Sequence, residues 1–258
     1  MIDCNVSLSR WPCRRLKGDE TPELVTRLKN QGVSQAWAGS FDALFYRDVA
    51  EVNSRLVEEC HRHGRDFLLP FGTVNPLVPD WEEDLRRCHE EHHMPGIRLY
   101  PNYHGYRLDQ PVFAELLKAT QTRELIVQLV VKMEDERAAH PLLRVSPVDT
   151  TPLVRLIPDL PRLRLVLLNG PGAIPPEPLR RLRDAGQIYF DMAMVEGLGG
   201  IGKLMDAVTA ERVLFGSHFP FYVFESALLK LRETPLKELP KKAIEEGNAR
   251  RLLDKDRK

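Results

Sequence analysis

Eight short apolar runs, separated by helix-like segments, constrain this chain more than any other feature. The runs are "MIDCNVS" (1–7), "SQAWAGSF" (34–41), "FLLPFGTVNP" (67–76), "GIRLYP" (96–101), "LIVQLVVKME" (125–134), "LRLVLLNG" (163–170), "QIYFDMAM" (187–194) and "RVLFGSHF" (212–219). Each reads as a strand. "TPELVTRLKNQG" (21–32) has Pro22 near its start and Gly32 at its end, the asymmetry expected of helix ends. Further helical patterns cover 47–64, 80–93, 110–123, 152–158, 176–186, 200–208 and 226–233. A last one, 239–253, precedes the charged tail "DKDRK". Eight strand–helix alternations in 258 residues predict an α/β fold, a (β/α)8 TIM barrel forming a single domain over 1–258. A doubly wound open sheet is the competing fold, but the first turn, "SLSRWPCRRLKG", lacks the Gly-rich pattern it usually carries.

Composition narrows the function classes. The chain is 43% hydrophobic and 29% charged, which suits a globular protein with a large core. Lys+Arg and Asp+Glu both number 37, so nothing points to a nucleic acid or an anionic membrane as partner. No apolar run reaches the roughly 18 residues of a membrane span, and "MIDCNVSLSR" lacks the basic start and apolar core expected of a signal peptide. A cytoplasmic location is expected, with a small-molecule substrate or ligand as partner and room for a homo-oligomer. Cys4, Cys13, Cys60 and Cys88 show no CxxC spacing and read as free thiols.

Strand side chains alternate, so Ile2, Cys4 and Val6 should pack on helices while Asp3, Asn5 and Ser7 point inward. Gln128, Lys132 and Glu134 on the fifth strand and Asp191 on the seventh read as inward too. Thr73, Asn75, Arg98, Asn169 and His218 fall at or near C-terminal strand ends, where this fold places its active sites. Polar groups from so many strands at one mouth point to a ligand cleft, although each alone fits a buried hydrogen-bond network.

Several segments, in order and spacing, resemble the amidohydrolase-related family of metal-dependent barrel hydrolases. They are "ID" (2–3), "GIRLYPNYHGY" (96–106), "VQLVVKMEDERAAHP" (127–141), "YFDMAM" (189–194), "LFGSHFPF" (214–221) and "GNARRLL" (247–253). The resemblance implies a (β/α)8 barrel and hydrolysis, or in some members decarboxylation, usually at a divalent metal. The family's first-strand His-x-His falls on Asn5-Val6-Ser7, its fifth-strand histidine near Val130 or Lys132, its sixth-strand histidine on Asn169 and its eighth-strand aspartate on His218. Asn and Ser are poor replacements for such ligands. The expectation is therefore a degenerate metal centre, with no metal ligands and no cofactor.

What remains is a hydrolase of a small polar or carboxylated compound working by acid–base chemistry. His218 and Glu134 are the candidate catalytic groups. Asn5, Arg98, His104, Lys132, Asn169 and Asp191 are the candidate substrate-binding residues, with Arg98 and Lys132 supplying fixed positive charge. The bland reading gives Glu134 an ion pair with Arg137 or Lys132, and gives His218 a bond to Asn5 or Asp3. A Schiff base at Lys132 is disfavoured by neighbouring Glu134, which holds the amine charged. Two alternatives stand beside the hydrolase: a non-catalytic binding or assembly subunit, and a hydrolase or decarboxylase with a rearranged metal site built from His218, His104, Glu134 or Asp191. "GLGGIGKL" (197–204) mimics nucleotide motifs, but Leu204 stands where a P-loop needs Ser or Thr. His61, His63, His92 and His93 lie at helix ends on the opposite face.

Overall fold

A computed structural model describes residues 1–135, 137 and 139–254. The charged tail beyond 254 lies outside the described residues. Among them, eight parallel strands form one sheet in chain order. They are β1 (Ile2–Leu8), β2 (Gln35–Ser40), β3 (Leu68–Gly72), β4 (Gly96–Leu99), β5 (Ile126–Val130), β6 (Arg164–Leu168), β7 (Ile188–Asp191) and β8 (Val213–Leu214). Backbone bonds from Cys4 N to Phe215 O and from Ser7 N to Phe219 O, both 3.0 Å, join the first strand to the last segment and close the barrel. The TIM-barrel expectation holds: seven strands fall inside the apolar runs, and β1 runs one residue past its own, to Leu8.

Helices cover the outside. They are α1 (Thr21–Asn30), α2 (Val49–Gly64), α3 (Trp81–Arg86), α4 (Pro101–His104), α5 (Pro111–Thr122), α6 (Leu153–Leu156), α7 (Pro176–Ala185), α8 (Gly200–Val208), α9 (Phe224–Glu233), α10 (Glu238–Lys242) and α11 (Asn248–Leu253). The Asp48 side chain caps α2 by accepting from Glu51 N. The patterns at 80–93 and 239–253 each relax into a π-helical turn, at Arg87–Glu91 and Ala243–Gly247. The unexpected α4 is one turn, opened by Pro101 and closed by Gly105 at φ +78°.

Apolar residues split into two layers. Leu24, Leu28, Ile97, Leu165 and Phe190 belong to the layer between sheet and helices, while Trp37, Phe71, Ile126, Val166 and Leu214 belong to an inner cluster. The first strand departs from simple alternation. Its pairing with β2 shifts between Asp3 and Val6. Ile2 and Cys4 therefore join the inner cluster, and only Val6 and Leu8 join the outer layer. A bulge of this kind reverses which face a side chain takes. The last strand is also shorter than its apolar run. Phe215 N donates to Ile244 O, Ser217 N donates to the Asp3 carboxylate, and His218 takes a left-handed φ of +57°.

Candidate active site

From the middle of β1 and the C-terminal ends of β6 and β7, three buried side chains bind one another. Asn5 Nδ2 donates to Asn169 Oδ1 at 2.8 Å and to Asp191 Oδ2 at 2.7 Å. The Asn169 backbone N–H donates to Asp191 Oδ1 at 2.7 Å, and Asn169 Nδ2 donates to Lys132 O at 2.7 Å. Gly216 makes the approach possible, since a Cβ there would lie 2.7 Å from Asp191 Oδ2. Beside them, the Asp3 carboxylate accepts from Asn5 N, Ser217 N and Ser217 Oγ. Burial pushes Asp191 up to about 6 and Asp3 up to about 7, because desolvation of the anion outweighs the donors aimed at it.

Arg98 crosses the interior from β4. Its Nε donates to Gln128 Oε1 at 2.7 Å, and its terminal nitrogens donate to Val6 O at 2.8 Å and Trp37 O at 3.0 Å. Gln128 Nε2 in turn donates to Cys4 O at 2.8 Å. A Cβ on Gly39 would sit 2.8 Å from the guanidinium, so the glycine on β2 clears its path. Arg98 and Gln128 are inward, as expected, but the guanidinium donates to backbone carbonyls and a side-chain amide.

Above this polar layer lies an aromatic roof. His218 is 1% exposed, and its Nε2 lies 2.7 Å from Met133 O. A carbonyl only accepts, so Nε2 carries the proton and Nδ1 keeps its lone pair. Burial pulls His218 down to about 4, leaving a neutral imidazole near pH 7. Phe221 stacks on that ring at 5.0 Å and 12°. Trp11, from the loop after β1, meets Phe221 edge-on at 5.0 Å, and Phe41 adds a contact at 6.0 Å. The Arg14 guanidinium lies 5.1 Å from the Phe221 ring centre and pairs with Glu134.

The residues singled out from sequence thus separate into groups. Asn5, Asn169 and Asp191 meet directly, while Arg98, from β4, bonds β1, β2 and β5. His218 bonds Met133 O rather than Asn5 or Asp3. Glu134 pairs with Arg14, while Arg137 pairs with Asp135 and Glu196. Lys132 lies beyond the end of β5, with Asn102 and Tyr103 lining the same small cleft. His104 is apart, its Nε2 2.8 Å from Ala43 O and its ring against Tyr100 and Tyr106. Asn75 serves a turn by accepting from Leu77 N. Trp11, Arg14 and Phe221 were not singled out. The signal for them was aromatic residues just past the first and last strands, in "SRWP" and "HFPFY".

A family model described as Amidohydrolase matches residues 15–255. No curated protein matches the sequence. Among solved structures, the chain is similar to 5-carboxyvanillate decarboxylase from Sphingomonas paucimobilis, at 18% identity over 91% of this chain and 83% of that one, TM-score 0.75. It is similar to a dihydroxybenzoic acid decarboxylase from a Polaromonas species with bound manganese and 2-nitroresorcinol, at 15% identity over 99% and 98%, TM-score 0.72. A variant of 5-carboxyvanillate decarboxylase from Novosphingobium aromaticivorans, also with bound manganese, matches at 15% identity over 89% and 80%, TM-score 0.71. Such identities show a shared fold.

The bound manganese overturns the expectation of no cofactor: a divalent metal accompanies this fold in two of these structures. The side chains at this mouth do not fit such an ion in the arrangement they hold. Among the described residues no three His, Cys, Asp or Glu side chains are placed to share one. The rearranged ligand set of His218, His104, Glu134 and Asp191 is not gathered either, since His104 and Glu134 bind Ala43 O and Arg14. Also among the described residues, no helix is long and apolar enough to cross a membrane.

Proposed function

The chain belongs to the amidohydrolase family, and from that premise we propose that it removes the carboxyl group of a small hydroxylated aromatic acid at the C-terminal mouth of its barrel. The observation that carries this reading is His218, a neutral buried imidazole with a bare Nδ1, set against stacked aromatic rings and an arginine. Arg14 draws in the carboxylate, and Glu134 holds Arg14 in place. His218 Nδ1 accepts the phenolic proton and returns it to the ring carbon bearing the carboxylate. The C–C bond then breaks, its electron pair restores the aromatic ring, and CO2 leaves. Solvent reprotonates the phenoxide, so one proton is consumed for each CO2 released. Asn5, Asn169, Asp191 and Arg98 keep the strand ends rigid beneath the reacting ring, and Lys132 adds positive charge at the rim. The decarboxylases among the structural neighbours support this choice over hydrolysis.

The test is CO2 release from 2,6-dihydroxybenzoate and 5-carboxyvanillate, with and without added manganese, for the natural chain and His218→Ala. The expected result is turnover that falls at least about a hundredfold in the variant. Hydrolysis of lactones or amides with no CO2 from either acid would discard the reading. A second reading, a non-catalytic binding subunit, is favoured by one observation: Asn5, Asn169 and Asp191 bind each other. Ligand-induced thermal stabilisation without any turnover would select it.

A further inference from the structure

Two buried polar atoms at the roof lack hydrogen-bond partners. Among the described residues neither Trp11 Nε1 nor His218 Nδ1 has one. Both residues are at most 2% exposed, so water does not satisfy them from the surface. Leaving such atoms unpaired costs roughly 1–3 kcal/mol each, and a fold retains few of them. One is a donor, the indole N–H; the other is an acceptor, the imidazole lone pair.

The two rings that carry these atoms flank the same side chain. Phe221 stacks face-on with His218 and edge-on with Trp11, each at 5.0 Å between ring centres. Phe41 and the Arg14 guanidinium complete the surround at 6.0 and 5.1 Å. Phe221 itself is 9% exposed and follows the residue that ends the strand-end segment, Pro220. A phenyl ring thus sits in a cage of rings and one cation, and it offers nothing to the donor and acceptor beside it.

We propose that this cage is the ring subsite for an aromatic ligand, with Phe221 as its resident occupant, and that Trp11 and His218 read the polar substituents of the ligand that replaces it. The proposal rests on the aromatic-acid reading above and adds the residues that select among such acids. A hydroxyl on the incoming ring donates to His218 Nδ1. A carboxylate or second hydroxyl oxygen accepts from Trp11 Nε1 and faces Arg14. An unsubstituted ring gains only stacking, so a hydroxybenzoate is preferred over toluene.

Isothermal titration of the full chain with 2,6-dihydroxybenzoate, and separately with toluene, tests this. Phe221→Ala should bind 2,6-dihydroxybenzoate at least about tenfold more tightly than the natural chain, because the cage no longer needs emptying. Adding Trp11→Phe to that variant should weaken the acid about fivefold and leave toluene unchanged, since one hydrogen bond is lost and the ring remains. Should Phe221→Ala fail to fold by circular dichroism, Phe221→Leu is read in the same way. Unchanged affinity in the folded variant overturns the proposal. So does toluene binding as tightly as the acid with no effect of Trp11→Phe, the signature of an apolar hole. Where the acid turns over, the same variants are titrated at equilibrium with 2-nitroresorcinol, which has no carboxyl group to lose. Tight, Trp11-dependent binding with no CO2 release therefore rejects the decarboxylation and keeps the subsite.

Discussion

The two layers at the barrel mouth use their polar groups differently. In the lower layer, donors meet acceptors: Asn5 with Asn169 and Asp191, Arg98 with Gln128, Val6 O and Trp37 O. In the upper layer, rings pack on rings while an indole N–H and an imidazole nitrogen go without partners among the described residues. The lower layer holds strands together. The upper layer keeps capacity in reserve, and that is where an incoming molecule gains most.

The sharpest way to break this comparison is to remove Arg98. Arg98→Ala strands the carbonyls of Val6 and Trp37 and the Gln128 amide oxygen inside the barrel. It should cost at least about 4 kcal/mol, read as a lowered urea midpoint. A small effect would mean that the lower layer is not structural. Gly39→Ala comes next at roughly 2–3 kcal/mol, because its Cβ forces the guanidinium aside. Third is a pH effect. Asp3 and Asp191, raised by burial to about 7 and about 6 from 3.8, favour their protonated forms in the fold. Their stabilising contribution is full below about pH 4 and is lost as pH rises through 6 to 7. His218, lowered to about 4, acts with the opposite sign: its contribution is full above its ordinary 6.5 and is lost as pH falls through 4. Asp3→Asn should therefore flatten the stability profile between pH 5 and 8 by about 2 kcal/mol, measured by urea unfolding at each pH. The smallest effect belongs to the roof. Arg14→Ala should change stability by less than about 1 kcal/mol, since the Arg14 side chain is 39% exposed and its ion pair is screened. A larger loss would place the roof with the structural layer.

The barrel was legible because the strands lie in short apolar runs and helical patterns such as 21–32, with its own end signals, separate them. The gathering of Asn5, Asn169 and Asp191 was legible as well, the first and last from inward alternation and Asn169 from its place at a strand end. What stayed hidden were interactions that only folding creates. The bulge in β1 turned Ile2 and Cys4 inward against the alternation rule. β8 stopped after two residues, where the Phe215 amide turns to Ile244 O and, further on, the Ser217 amide to the Asp3 carboxylate. Glu134 found Arg14, 120 residues away, rather than a charge nearby in sequence. Trp11 and Phe221 read as loop residues because ring packing leaves no periodic trace. The expectation of no metal rested on substituted ligand positions in the sequence, and the bound manganese of two structural neighbours overturns it.

Arg98 has a mechanical consequence. A rigid guanidinium anchored on β4 and bonded to β1 and β2 acts as a crossbar, fixing the internal diameter at one level. Shear between those strands would have to break several bonds at once, so the barrel wall resists deformation there. The loops that carry Trp11 and Phe221 lie beyond that level and take part in none of these bonds.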